Sequence, residues 1–570
     1  MVDTPPIMSS SHDAHGGWSR HVRSEGPDMR RRVTLAMVMF ALAYLVIAGR
    51  LVSLGLTDDG PGRARLTAED MVAAARPDLV DRNGKILATD IRTDSLFAEP
   101  RKILDVDEAI ELLSSVLPEL GDRTTRKRLA SNAGFVWLKR EITPAQKHAI
   151  HRLGIPGIGF LTENRRFYPG GPAVSHIVGH VNVDNEGIAG IEKHVDGQGL
   201  AELHQFGFAK KETTLEPVKL AVDLRVQHAV RDEISRAMER FQAIAGIGIV
   251  LDVHTGEVIA MSSLPDYDPN DPVQALEKDR MNRATAGVFE MGSVFKTFNT
   301  AMALDSGQVT LESTYDATRP IRVGGRTISD FHGKHRVLTV PEVFIYSSNI
   351  GSAKMALQIG REGQKEFLTR LGLTSRLETD LPEVAKPLVP SRWSEVTSMT
   401  VAFGHGISVS PMQTAVAAAA LVNGGKLIPP TFLVRSRDEA DALAKRVIEP
   451  KTSNAMRYLF RLNAEKGSGR QAEVEGYLVG GKTGTAEKVV DGRYSSTKRF
   501  NSFLSAFPMD DPRYVVLVVI DEPKKAKDGG GVTAGWNAAP TVANVVRRIA
   551  PMLGVAPRFE GGANMHLVSY

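Results

Sequence analysis

The stretch Glu290-Met291-Gly292-Ser293-Val294-Phe295-Lys296 opens an apolar-periodic segment that continues to about Leu304. Read as the start of a helix, it sets Ser293 and Lys296 three residues apart on one face, where the amine can reach the hydroxyl. A serine hydroxyl is a poor nucleophile until a neighbouring base takes its proton, and a desolvated lysine can be that base. Acyl transfer without a histidine needs such a pair. The same spacing recurs at Ser495 and Lys498, inside the polar run Tyr494-Ser-Ser-Thr-Lys-Arg499, which reads as a surface loop.

Two further elements follow in the chain. Ser347-Ser348-Asn349, after the apolar Val343–Tyr346, puts a hydroxyl and an amide two residues apart at a turn; alone, this is the pattern of a turn or helix cap. Gly480-Gly481-Lys482-Thr483-Gly484-Thr485 reads as an edge strand whose glycines admit a substrate backbone, with Lys482, Thr483 and Thr485 offering an anion site. Gly476 to Thr483 also satisfies the phosphate-loop pattern G-x-x-x-x-G-K-T. That pattern requires a buried strand before it and a helix starting at the lysine. Here the preceding residues are polar, Gly484 follows Thr483, and Asp491-Gly492 signals a hairpin, so a nucleotide site is rejected.

The chain has 570 residues, enough for about three or four folded units, with 70 Lys+Arg against 66 Asp+Glu and a net charge of +4. That balance makes no case for nucleic acid. With 42% hydrophobic and 24% charged residues the composition is globular. The absence of cysteine excludes disulfides, thiolate metal sites and thiol nucleophiles, and suits an oxidising compartment. His332 and His335 in Phe331-His-Gly-Lys-His335 lack a third ligand at a recognisable spacing and read as a solvated loop; no metal is expected.

One long apolar run, Val33 to Gly49, spans about 25 Å as a helix, and Leu51 to Leu56 extends it beyond Arg50. Arg20, Arg23 and Arg30 to Arg32 precede it, which places the N-terminus in the cytoplasm and everything after Leu56 outside. Ala41-Leu42-Ala43 has the form of a signal-peptide cleavage site but lies within the run, so an uncleaved anchor is expected. Residues 1–32 read as a disordered tail. Beyond the anchor, Leu79–Ala88 reads as a hairpin around Asn83-Gly84, with helices near Asp105–Leu117 and Pro144–Leu153. From Val218 strands and helices alternate: a strand pair from Ala245 to Ser262 joined at Thr255-Gly256, a buried strand Tyr514–Ile520, and a final helix Thr541–Leu553.

In order, S-x-x-K, S-x-N and K-T-G form the signature of serine acyl-transferases that react with penicillin. The flanks sharpen this: from the anchor to about residue 553 the chain resembles class B penicillin-binding proteins. Arg76 with Asp81-Arg82-Asn83-Gly84, Arg166-Phe-Tyr-Pro169 and Gly187-Ile-Ala-Gly-Ile-Glu192 resemble motifs of their non-catalytic pedestal. Thr255-Gly256-Glu257, Pro269-Asn270, Asn282-Arg283-Ala284 and Phe403-Gly-His-Gly406 resemble landmarks of their catalytic domain, while Pro77 and Met291 depart from the usual pattern. The resemblance implies a cytoplasmic tail at 1–32, a transmembrane anchor at 33–56, an α+β pedestal at 57–217, an α/β transpeptidase domain with an antiparallel sheet at 218–553, and a tail at 554–570. It implies a peptidoglycan D,D-transpeptidase, of the division-specific type by length and compact pedestal. Ser293 is the implied nucleophile, Lys296 its base, Ser347 a proton relay and Asn349 the holder of the substrate amide. Lys482, Thr483, Gly484 and Thr485 bind the terminal carboxylate, and the backbone amides of Ser293 and Thr485 form the oxyanion hole. No cofactor is implied. The implied partners are stem peptides as donor and amine acceptor, beta-lactams, a membrane glycan polymerase and other divisome proteins, at the inner membrane. The alternatives are an elongation-type transpeptidase, a D,D-carboxypeptidase, a penicillin sensor, or a scaffold with a vestigial catalytic domain.

Overall fold

Eight residues, Tyr514–Asp521, explain the centre of the molecule: seven of them are apolar and all eight are buried. Side chains alternate across a strand, so an unbroken apolar run survives only where both faces are covered. In the computed structural model, which describes residues 27–56, 75–197, 215–490 and 492–559, Val515, Leu517 and Val519 enter one core. Val516, Val518 and Ile520 enter the other.

The chain divides into two units, Met1–Met71 and Val72–Tyr570. In the first, α1 spans Pro27–Leu56, and its apolar side chains, among them Leu35, Phe40 and Leu45, are exposed. Its described side chains run unbroken from Thr34 to Arg50, about 25 Å against a hydrocarbon core of about 30 Å. Among the described residues no helix is long and apolar enough to cross a membrane. Most of the expected N-terminal tail, the link between α1 and Ala75, and the end of the C-terminal tail lie outside the described residues.

The second unit begins with the expected hairpin: β1 (Leu79–Val80) pairs antiparallel with β2, which extends from Ile86 to Ala98. β2 also pairs with β3 (Val136–Ile142) and β4 (Ile158–Phe167). Helices α2 (Val106–Val116) and α3 (Pro144–Arg152) start where the sequence places them, capped by Asp105 and by a Thr143/Gln146 capping box. β5 (Val218–Lys219) pairs parallel with β1, so the first residues assigned to the catalytic domain complete the pedestal's sheet.

The pedestal motifs converge on one buried carboxylate. Glu192 is 1% exposed and takes Arg76 Nε at 2.9 Å and Arg166 Nε at 2.6 Å. Arg166 also reaches Asp90 at 3.1 Å and Arg76 reaches Asp196 at 2.6 Å. A second junction ties the hairpin turn to the catalytic half. Asp81 accepts the amides of Asn83 and Lys85, each at 2.8 Å, and that of Leu224 at 3.1 Å. Arg82 pairs with Glu257 at 3.4 Å, and Glu257 accepts from Thr255 Oγ1 at 3.2 Å and Arg435 N at 3.0 Å.

The catalytic half follows with α4 (Leu224–Phe241), β6 (Ala245–Asp252) and β7 (Val258–Leu264). After these come α5 (Phe295–Asp305), α6 (Asn349–Ile359), α7 (Pro411–Val422) and α8 (Pro450–Lys466). β8 (Gly480–Val490), β9 (Arg493–Phe507), β10 (Tyr514–Asp521) and α9 (Ala538–Met552) complete it. The sheet order is β8-β9-β10-β6-β7, every pair antiparallel. One core contains residues of α4 and α9 and the other residues of α5, α7 and α8, so helices cover both faces. α9 begins three residues before the expected Thr541. Ser495 and Lys498, read as loop, lie in the outer part of β9.

Replacing Glu192 with alanine leaves Arg76 only Asp196 and Arg166 only Asp90 as carboxylate partners, a loss toward the low end of the about 3–5 kcal/mol for a broken buried pair. The expected outcome is a markedly lower urea midpoint for Glu192→Ala, with a much smaller change for Asp107→Ala, whose ion pair with Arg126 is exposed.

Candidate active site

Gly292–Val294 forms a single tight turn that feeds α5. The apolar periodicity of this segment suggested one buried face; instead every residue from Phe295 to Leu304 is buried, because α5 runs through the middle of the catalytic half. Lys296 is 1% exposed. Its Nζ lies 2.9 Å from Ser293 Oγ, 3.0 Å from Ser347 Oγ and 2.7 Å from the Ser347 carbonyl oxygen.

Ser347 occupies the left-handed region with φ 57°, in the turn before α6. A non-glycine residue held there is strained, and surrounding structure must fix it. Ser348 does so as the cap of α6, accepting from Gly351 N at 3.0 Å and donating to Asp330 Oδ2 at 2.7 Å. Asp330 Oδ1 accepts Ile350 N at 3.0 Å. Ser347-Ser348-Asn349 is thus both a helix cap and part of the site. Asn349 is turned aside: its Nδ2 donates to the Ser329 carbonyl at 2.9 Å.

Lys482 and Thr483 lie inside the edge strand β8, which removes the phosphate-loop reading, since that loop needs a helix at the lysine. Lys482 is fully buried, with Nζ 3.0 Å from Ser347 Oγ. Thr483 Oγ1 lies 2.6 Å from Ser468 Oγ, and Thr485 Oγ1 accepts Ala534 N at 3.2 Å. The nucleophile turn rests on this strand. A Cβ on Gly484 would fall 2.6 Å from Met291 O, and a Cβ on Gly404 (φ 84°) only 2.2 Å from Gly292 O. Only glycine permits backbones this close. A Cβ on Gly292 would stand 2.9 Å from Thr485 O, which sets the backbones of Ser293 and Thr485 side by side.

Burial holds the Lys296 amine well below the ordinary lysine pKa; the charge of Lys482 adds to that depression and Asp330 opposes it. Burial lowers Lys482 to about 7. Both effects follow from removing an ammonium from water. Desolvation is the larger of the two causes that lower Lys296, as expected of a desolvated lysine base. His405 is also lowered, to about 4, by burial and then by Lys296.

Several residues that complete this geometry carried no readable spacing. Asp330 holds the Ser347 turn, Ser468 meets Thr483, and Glu290 accepts Gly406 N at 2.7 Å and Tyr494 OH at 3.1 Å. Asp330 borders the Phe331–His335 stretch and Glu290 opens the stretch that carries Ser293, but neither spacing marks the contact it makes, and Ser468 lies in no motif. His332 and His335 are exposed, as a solvated loop requires. Among the described residues no cluster of side chains could hold a metal.

A fold with a half-buried serine on a buried lysine against an edge strand defines a class, and comparison with known proteins agrees. The penicillin binding protein transpeptidase domain matches residues 246–543 and the penicillin-binding protein dimerisation domain residues 71–198. The chain belongs to the penicillin-binding proteins that join these two domains. It is 39% identical over 558 residues to the probable peptidoglycan D,D-transpeptidase FtsI of Caulobacter vibrioides, covering 95% of this chain and 92% of that protein. It is 29% identical over 547 residues to the peptidoglycan D,D-transpeptidase FtsI of Escherichia coli, covering 91% of each. The crystal structure of penicillin binding protein 3 from Mycobacterium tuberculosis, complexed with aztreonam, superposes with a TM-score of 0.65 at 24% identity, over 85% of this chain and 98% of that one.

The electrostatic account has a signed test by NMR on lysine-labelled protein. Lys482 is expected to titrate near pH 7, with Lys296 deprotonated far below the ordinary lysine range. Lys482→Ala removes a like charge and should raise the Lys296 pKa; Asp330→Asn removes an opposing charge and should lower it further.

Proposed function

We propose that this chain is a peptidoglycan D,D-transpeptidase that cross-links stem peptides through a Ser293 acyl-enzyme during septal wall synthesis, and that it is a beta-lactam target. One observation carries the reading: a buried lysine amine within hydrogen-bond distance of both Ser293 Oγ and Ser347 Oγ. The two curated relatives named above are both called FtsI, one a peptidoglycan D,D-transpeptidase and the other a probable one.

Ser293 Oγ attacks the carbonyl of the penultimate D-Ala while its proton passes to neutral Lys296. The carbonyl electrons move to oxygen, held by the backbone amides of Ser293 and Thr485, a contribution of roughly 3 kcal/mol per donor. As the tetrahedral centre collapses, the C–N bond breaks and the departing D-Ala amine takes a proton through Ser347, which touches both lysines. The protonated form of Lys482 attracts the terminal carboxylate, and Thr483 and Thr485 donate to it beside Gly484. Thr485 Oγ1 already accepts from Ala534 N, which leaves its proton for the ligand. Asn349 holds the substrate amide after leaving the Ser329 carbonyl. An amine from a second stem peptide then attacks the acyl-enzyme, gives up a proton and releases Ser293. No cofactor enters this sequence.

In the same reading, α1 anchors the chain in the inner membrane with Arg30 to Arg32 on the cytoplasmic side, and residues 57–217 and 218–553 are an external pedestal and catalytic domain. The exposed apolar side chains of α1 support the anchor. The two family matches, at 71–198 and 246–543, fall within these domain limits. A membrane glycan polymerase and other divisome proteins are the corresponding partners.

Labelled penicillin with intact-mass analysis tests the nucleophile: Ser293→Ala is expected to gain no penicilloyl adduct, and Lys296→Ala to acylate about 10²–10⁴-fold more slowly. A Ser293→Ala protein that still forms a stable adduct contradicts the assignment. The second-order acylation rate should be bell-shaped in pH. It rises from acid as Lys296 loses its proton and falls through about 7 as Lys482 loses the charge that attracts the carboxylate. Release of D-Ala with no dependence on an amine acceptor would indicate a carboxypeptidase instead, and a fluorescent fusion spread along the lateral wall would indicate elongation.

A further inference from the structure

A cavity of about 340 Å³, lined by none of Ser293, Lys296, Ser347 and Lys482, lies between the pedestal sheet and the loop around Pro269–Pro272 of the catalytic half. Its volume falls within the range of small-ligand sites, roughly 300–1,000 Å³, and exceeds the roughly 30 Å³ of a single water many times over. Thr93 and Glu163, directly paired across β2 and β4, both line it. Glu163 is 5% exposed, yet its Oε1 accepts no hydrogen bond. Arg140 Nη1 stands 3.7 Å from that oxygen, and its guanidinium is spent on the Val183 carbonyl and on Asp184 at 3.0 Å. Buried carboxylate oxygens are ordinarily satisfied, so an unmet acceptor beside an open cavity marks where a donor belongs.

The chemistry of the lining narrows the donor. Three guanidiniums, Arg140, Arg165 and Arg166, border the cavity against two carboxylates, Glu141 and Glu163, so an ammonium ligand would meet an excess of positive charge. Hydroxyl and amide N–H groups satisfy Glu163 without that repulsion, and the same guanidiniums tolerate a carboxylate. Val181, Val183 and the prolines supply apolar faces for a ring. We propose that this cavity binds a segment of glycan strand, an N-acetylated sugar polymer bearing hydroxyl, acetamido and carboxylate groups, and so holds the polymer that carries the stem peptides away from the catalytic serine. The choice of this sugar among polyhydroxylated ligands rests on the transpeptidase reading. The cavity joins both halves: Asn270 of the catalytic side accepts Tyr168 N at 3.0 Å and donates to Tyr168 O at 3.1 Å, so strand binding bears directly on their contact.

The test uses the full-length protein and a peptide-free oligosaccharide of alternating N-acetylglucosamine and N-acetylmuramic acid, in calorimetric titration and hydrogen exchange. Penicillin-treated and untreated protein are run in parallel, so failure of Ser293 to acylate counts against the transpeptidase reading and leaves the sugar titration intact. Saturable binding in both samples is expected, with exchange protection over Ile158–Phe167 and Thr93–Ser95. Glu163→Ala should weaken binding at least tenfold, and Glu163→Gln, which keeps an acceptor oxygen and the side-chain volume, less so. Circular dichroism melts establish that each variant is folded; should Glu163→Ala not fold, the exchange pattern of the unmodified chain decides. No binding, binding abolished by acylation, protection elsewhere than these strands, or an unaltered affinity in folded Glu163→Ala each overturns the proposal. So does displacement of the sugar's protection pattern by a cationic peptide that alone binds this cavity.

Discussion

The arrangement of the catalytic half depends on burying the Lys296 amine. A lysine amine can accept a proton only when neutral, and α5 favours that form of Lys296 by carrying it into the interior, where Phe295 to Leu304 are all buried. An unpaired ammonium there is costly, which is why the amine gives up its proton rather than its position. Its hydrogen bonds to Ser293, to the Ser347 hydroxyl and to the Ser347 carbonyl use the polar surroundings that remain. Lys482 meets the same constraint more mildly, and both amines touch the Ser347 hydroxyl.

That dry site exists only because three backbone segments approach within contact of one another. Gly484 and Gly404 let β8 and the Phe403–Gly406 loop press on the Met291–Gly292 turn, where any side chain would overlap main-chain oxygen. The strained Ser347 turn is held from outside by Asp330, whose two oxygens fix Ser348 and Ile350. Farther away, Glu192 and Glu257 act as hubs. One gathers Arg76 and Arg166 within the pedestal, the other ties the hairpin's Arg82 to the Thr255-Gly256 turn. Motifs widely separated in the chain are therefore paired charges and hydrogen bonds at two junctions.

Much of the fold was legible because its signals are local. The Asn83-Gly84 turn, the caps Asp105 and Thr143, and the unbroken apolar run of β10 report backbone preference and burial without reference to distant residues. The readings that shifted are those where long-range packing decides. α5 looked amphipathic but is enclosed, Ser495 to Lys498 looked like loop but extends β9, and Val218–Lys219 joins the pedestal's sheet. Asn349, assigned to the substrate, is turned to Ser329 because the side chain follows the geometry of the α6 cap.

The sequence by itself determined the order of the S-x-x-K, S-x-N and K-T-G elements, the edge-strand character of the Lys482 segment and the basic cluster in the first turns of α1. These follow from residue chemistry and short-range spacing. Tertiary structure alone decided that Lys296 and Lys482 share Ser347, that desolvation outweighs like-charge repulsion in depressing Lys296, and that Asp330, Ser468 and Glu290 complete the site. Burial and distance between segments far apart in the chain set these, and no local pattern encodes them.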